Sequence, residues 1–175
     1  VAYTISSVVK VGNNAFRIDR INRVDGQVLA SSSTYTSTGS IDIKEMSAQG
    51  FLVGGFTGTL TLDSITLTSQ GLMDGFCIKP TSIPTGYSIA LAKSYGGVGD
   101  DIINSISETY MAGSFSETID LNGLIRTSSG GKDALFFFYY SANLNPLHGR
   151  FANRIGGIGD DEILSIVETE AGNYH

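Results

Sequence analysis

Two pairs of adjacent aspartates, Asp100–Asp101 and Asp160–Asp161, each close a Gly-Gly-x-Gly-Asp-Asp loop. They are the residues best placed to do chemistry. Carboxylate oxygens of this kind are the hard ligands that Ca²⁺ takes, although a dedicated calcium loop recruits more alternating acids than two. The competing reading is a turn, in which Gly adopts φ > 0 and Asp accepts from nearby backbone N–H groups, fixing the start of the next strand. We read turns and expect no metal or other cofactor. Asp100, Asp101, Asp160 and Asp161 are the calcium candidates to set against that reading. The same glycines are not a phosphate cradle, because no Lys-Ser/Thr and no helix follows them. Adjacent carboxylates on a strand diverge, which argues against a glycosidase pair.

Other reactive side chains are few. The histidines are His148 and His175, and no spacing ties either to a nucleophile and an orienting acid. The single cysteine, Cys77, forms no internal disulfide and reads as a small buried hydrophobe. The run Phe136-Phe-Phe-Tyr-Tyr140 is the strongest apolar stretch. As a strand it turns Phe136, Phe138 and Tyr140 to one face and Leu135, Phe137 and Tyr139 to the other. We read both faces as core, with a sugar-stacking aromatic surface as the alternative. We therefore expect no enzyme.

The elements that carry these residues come from a repeat. Phe51-Leu-Val-Gly-Gly-Phe-Thr-Gly-Thr59 returns 59 residues later as Tyr110-Met-Ala-Gly-Ser-Phe-Ser-Glu-Thr118. Tyr95-Gly-Gly-Val-Gly-Asp-Asp101 returns 60 residues later as Ile155-Gly-Gly-Ile-Gly-Asp-Asp161. Asp74-Gly-Phe-Cys-Ile78 is echoed by Asp133-Ala-Leu-Phe-Phe137 and, earlier, by Asn14-Ala-Phe-Arg-Ile18. The first copy of the loop has decayed to Tyr35-Thr-Ser-Thr-Gly39, with Ser40 and Ile41 where later copies carry two Asp. Three landmarks in one order at one period define three units, about 1–56, 57–115 and 116–175, of a single repeat domain.

Each unit reads as four short strands, rich in Ile, Val, Phe, Tyr and Thr and bounded by Gly, Asn, Asp or Ser. The best-marked copy places them at 102–108, 109–115, 134–140 and 150–155, each five to seven residues long. No segment keeps a 3.6-residue apolar period over three turns. About twelve strands are expected in all. Residues 168–175 align with 108–115, so that 1–7 follow in phase with 116–122. That phase predicts a unit split between the termini, with two strands from each end.

The bulk properties agree. The chain has 175 residues, 22 Gly, 3 Pro and 16% charged residues, so Ser and Thr replace Lys and Glu on the outside. The net charge is −6 with 11 basic residues spread along the chain, which argues against nucleic acid and acidic membrane surfaces. No apolar run approaches the ~20 residues of a spanning helix. The chain opens on Val1 rather than Met, as a mature form or a piece of a larger chain would.

The order Tyr110-Met-Ala-Gly-Ser-Phe-Ser-Glu-Thr118, Gly130-Gly-Lys-Asp-Ala-Leu-Phe136 and Ile155-Gly-Gly-Ile-Gly-Asp-Asp161 resembles the bacterial β-propeller repeats of the SBBP type. Those carry V-T-G-x-F-x-G-T, G-G-x-D-x-F-V-A-K and F-G-G-x-G-D-D motifs. The resemblance covers the whole chain and is weakest in the first unit, which lacks both loop aspartates. The last third strand also departs, reading Phe-Phe-Phe-Tyr-Tyr rather than ending in Lys. The resemblance implies a propeller fold and a secreted or surface setting, and gives no catalytic residues.

The expectation is an all-β, propeller-like chain of three four-stranded blades, its ring completed by a second chain or by a missing part. A closed threefold β-prism or β-trefoil is the alternative. Known propellers close with about four to eight blades, so two copies would give six. The expected role is a non-enzymatic binding module with a glycan or protein ligand, extracellular or at the cell surface, and a structural subunit of a surface or virion assembly is the rival. The expected partners are further copies of the chain or neighbouring blades.

Overall fold

The computed structural model describes residues 4–121, 123–146 and 152–169. The protein is all-β: strands make up 62% and no helix is present among the described residues. Two antiparallel sheets form, neither closed into a barrel. In chain order the strands are β1 Thr4–Lys10, β2 Ala15–Asn22, β3 Val28–Ser31, β4 Tyr35–Ser37, β5 Ile41–Met46, β6 Leu52–Leu62 and β7 Ile65–Ile83. They continue as β8 Gly86–Gly97, β9 Asp101–Ile106, β10 Tyr110–Phe115, β11 Thr118–Asp120, β12 Ile125–Thr127, β13 Asp133–Phe138 and β14 Ala152–Ile155. Among the described residues alone these fourteen exceed the twelve expected, because short strands form between the repeat landmarks.

The smaller sheet is a four-stranded meander, β9-β10-β13-β14, and its strands lie within a few residues of those marked in the sequence. The larger sheet has ten strands and contains the same pattern one period earlier, where β5 pairs β6, β6 pairs β7 and β7 pairs β8. The registers correspond: Gly54 faces Phe76 across β6–β7 as Gly113 faces Leu135 across β10–β13.

Three strands of the larger sheet are much longer than the five to seven residues expected: β6 has 11, β7 has 19 and β8 has 12. The physical reason is legible in Thr59-Leu-Thr-Leu-Asp-Ser-Ile-Thr-Leu-Thr68, an alternating pattern around a two-residue turn. Leu62 pairs with Ile65 across that turn, and Asp63 takes φ 52° there, a left-handed conformation that Asp tolerates. A register shift between Thr57 and Thr59, with Gly58 at φ 75°, bulges β6. The extension buries Leu60 and Leu62 with Tyr35 and joins β4 to β6, so the first unit is continuous with the second. At the N-terminal end, β1 and β2 pair with Val8 opposite Ile18, and β3 pairs with β2. That makes three described strands where the sequence phase predicted two; residues 1–3 and 170–175 lie outside the described residues.

Strand alternation divides the core in two. On β6 and β7, Leu52, Phe56, Phe76 and Ile78 face β2, packing with Phe16 and Ile18. The intervening Phe51, Val53 and Cys77 face the smaller sheet, packing with Met111, Leu135 and Phe137. The central strands are therefore apolar on both sides because both sides are covered.

Candidate functional site

The glycine loops and the strands before them build one arrangement twice. Asp101 Oδ2 accepts from the Gly97 N–H at 2.8 Å, and Asp161 Oδ2 accepts from the Gly157 N–H at 3.1 Å. Asp74 accepts from the Gln70 N–H at 3.2 Å, and Asp133 Oδ2 from the Ser129 N–H at 2.8 Å. All four carboxylates thus bind the backbone four residues upstream, a turn-forming use of Asp.

The first aspartate of each pair points elsewhere. Asp100 is partly exposed with Lys132 Nζ at 3.9 Å, and Asp160 Oδ1 accepts from the Lys132 N–H at 2.9 Å. The two carboxylates of each pair thus take different partners, although only Asp101 of the four lies in a strand.

The structure adds residues that the loop motif alone did not single out. Asp74 and Asp133 are fully buried, as is Asp101 at 1% exposure. Asp74 and Asp101 engage adjacent residues of β8, Gly96 packing against the Asp74 carboxyl and the Gly97 N–H donating to Asp101, and the charge of Asp74 raises the proton affinity of Asp101. In the next period Asp133 and Asp161 converge on Gly156. A Cβ on Gly156 would stand 3.0 Å from Asp161 Oδ2 and closer still to Asp133 Oδ1. Gly96 packs against the Asp74 carboxyl in the same way, closer than 3.0 Å to an added Cβ. The sequence signal for these pairs was the shared period of Asp74 and Asp133, and their joint absence from the first unit, where Asn14 and Ile41 stand instead.

The two pairs differ in their electrostatics. Arg154 Nη1 lies 2.8 Å from Asp133 Oδ2. Arg154 pairs with Leu135 across β13–β14; the matching residue, opposite Phe76 across β7–β8, is Ser94. Among the described residues, Asp74 and Asp101 therefore have no such counter-ion. Burial raises Asp74 to about 6, opposed by the Gln70 N–H. Burial also raises Asp101 to about 7; the Gly97 N–H opposes this, Asp74 adds to it, the Ser116 N–H opposes it and Asp100 adds to it. Asp101 Oδ1 and Asp133 Oδ1 have no hydrogen-bond partner.

Among the described residues, no three His, Cys, Asp or Glu side chains gather as a metal site. His148 and His175 lie outside the described residues. Cys77 is buried, and burial pushes its thiol well up. The aromatic run divides by face. Leu135, Phe137 and Tyr139 are core, with Phe137 ringed against Tyr95 at 5.1 Å. On the other face Phe136 and Phe138 are half-buried and Tyr140 is 53% exposed. That corrects the expectation of core on both faces: the second face has no sheet over it among the described residues. Tyr110 stacks on Phe138 there at 3.9 Å between ring centroids.

No family model, no curated protein and no solved structure shows significant similarity to the chain.

Proposed function

We propose that the chain is a non-enzymatic β-propeller module of the SBBP type, which binds a glycan or protein ligand through loops at the ends of its blades, in a secreted or surface protein. The observation that carries this reading is a repeat of contacts between neighbouring four-stranded sets. The Ile106 N–H donates to Glu45 Oε2 at 3.2 Å, and one period on the Ile166 N–H donates to Ser105 Oγ at 3.2 Å. Gln49 reaches Glu108 across 59 residues, and Thr109 reaches Glu168 across the same separation. Thus β9, and one period on the segment 161–169, which forms no strand, lean on the preceding set through the same positions. Blades that bury their faces only on neighbours stack in this way.

In this reading β5-β6-β7-β8 and β9-β10-β13-β14 are two blades, β1-β2-β3 belongs to a third, and 161–168 begins a further one. Two copies give six blades, and the ring places its loops on one face. A glycan array probed with labelled chain tests the binding role. Specific, competable binding to one glycan class supports it; an empty array together with ring-shaped particles in electron micrographs leaves the ring as a scaffold and removes the glycan reading.

A further inference from the structure

The Asp74–Asp101 pair joins two sheets. Asp74 lies on β7 of the ten-stranded sheet and Asp101 begins β9 of the four-stranded sheet. The chain passes between these sheets through the Val98-Gly-Asp100 loop, whose end Asp101 ties back to Gly97. Both carboxyls are out of water, at 0% and 1% exposure.

Two buried carboxylates held on neighbouring residues, Gly96 and Gly97, disfavour each other's charged form unless a counter-ion is present. The three periods meet this constraint in three ways. The first has Asn14 and Ile41, so no charge is present. The third has Arg154 on Asp133. The second has neither: Ser94 takes the place of Arg154. Among the described residues, the neighbours of the pair supply no cation. Opposite Asp74 on β6 is Phe56, opposite Asp101 on β10 is Phe115, and β8 contributes Gly96. The charged groups nearby are Asp100, which adds to the repulsion, and Lys132, which lies 3.9 Å from Asp100 rather than against the pair.

We propose that Asp74 and Asp101 form a buried proton-binding site that clamps the two sheets, one proton holding the place that Arg154 holds one period later. The upward shift of both groups agrees with it, to about 6 and about 7. The sign follows from linkage. An unfolded Asp releases its proton near pH ~3.9, whereas the folded pair keeps it until near neutrality. Stability is then fullest in acid and falls as pH rises from about 4 to about 7, the reverse of the behaviour of an ion-paired carboxylate. The junction between the sheets loosens first, because that is where two like charges appear.

The experiment is urea unfolding of the full chain from pH 4.5 to 8, for the wild type, Asp74→Asn, Asp101→Asn and Ser94→Arg. In the wild type the folding equilibrium constant falls by up to about tenfold per pH unit where one proton is at stake. Either Asn variant flattens that slope, since Asn keeps an oxygen to accept from Gln70 or Gly97 while removing the ionisable group. Ser94→Arg flattens it by a different route, as a fixed cation. The protonated-carboxyl infrared band of the wild type gives a direct reading independent of the variants, present at pH 6 and lost by pH 8.5. Equal slopes in the wild type and both Asn variants overturn the proposal, as does absence of the band. A calcium chloride titration at pH 8 that restores the wild-type midpoint, with no effect on Asp101→Asn, also overturns it by assigning the site to a metal cation.

Discussion

Gly97 and Gly157 occupy the same place in successive loops but meet different surroundings. A Cβ on Gly97 would drive into the Thr118 carbonyl, closer than 3.0 Å, whereas a Cβ on Gly157 meets nothing within 4 Å. Gly97→Ala is therefore expected to cost about 1–3 kcal/mol, as overpacking against backbone does. Gly157→Ala in the dissociated chain stays within about 0.5 kcal/mol of wild type. Paired urea melts read the difference, and equal effects would show that the backbone at Gly97 yields. At the same scale, Asp101, Asp160 and Asp161 each accept from a backbone N–H and Asp100 lies near Lys132, so EDTA should leave the melting temperature of the chain unchanged. A drop reversed by Ca²⁺ would convert the turns into metal loops.

At the scale of the strand, the sheet meanders were legible before the fold was known, because Gly and Asp punctuate runs of Ile, Phe and Tyr at the ends of β9, β10 and β13. The extensions of β6 and β7 were less so. Their Thr-Leu alternation lies outside the recurring landmarks, so periodicity passed over it. The turn use of Asp101 and Asp161 was readable from one loop. The partnership with Asp74 and Asp133 was not, since it depends on strands of different sheets or distant registers meeting in space. The aromatic run shows the same limit, because alternation separates its two faces but cannot say which one a neighbour covers. Truncation reads the answer. Phe137→Ala should cost about 3–5 kcal/mol, since that ring sits at 1% exposure against Tyr95. Phe138→Ala, on the half-buried face, should cost clearly less. Urea midpoints of the two variants check the order, and reversal would mean that the second face is the better packed.

Across the whole molecule, the face bearing Phe136 and Phe138 corresponds by register to the face bearing Cys77, which is buried under the next sheet. Ile158, Leu164 and Val167, in the segment after β14, are 92%, 70% and 80% exposed. A repeat interior with no sheet over it among the described residues favours association. We expect a second copy to cover it, giving a dimer in sedimentation at micromolar concentration. Phe136→Lys should return the mass to that of one chain, with the β circular dichroism unchanged. A wild type that sediments as one chain over the whole range would end the two-copy ring.

Cys77 lies in the seam between the two sheets, fully buried among Val53, Tyr95 and Leu135. A thiol so placed, with its pKa pushed up by burial, stays silent toward alkylating reagents while the seam is shut. Being the sole cysteine of the chain, it makes every labelling event attributable to one position. The protein thus carries an intrinsic clock: the rate at which a small alkylating reagent modifies Cys77 counts how often the sheets part, without any engineered probe. Followed against pH, that clock would run faster in mild alkali than the rising thiolate fraction alone explains, registering the breathing of a joint rather than the melting of the whole.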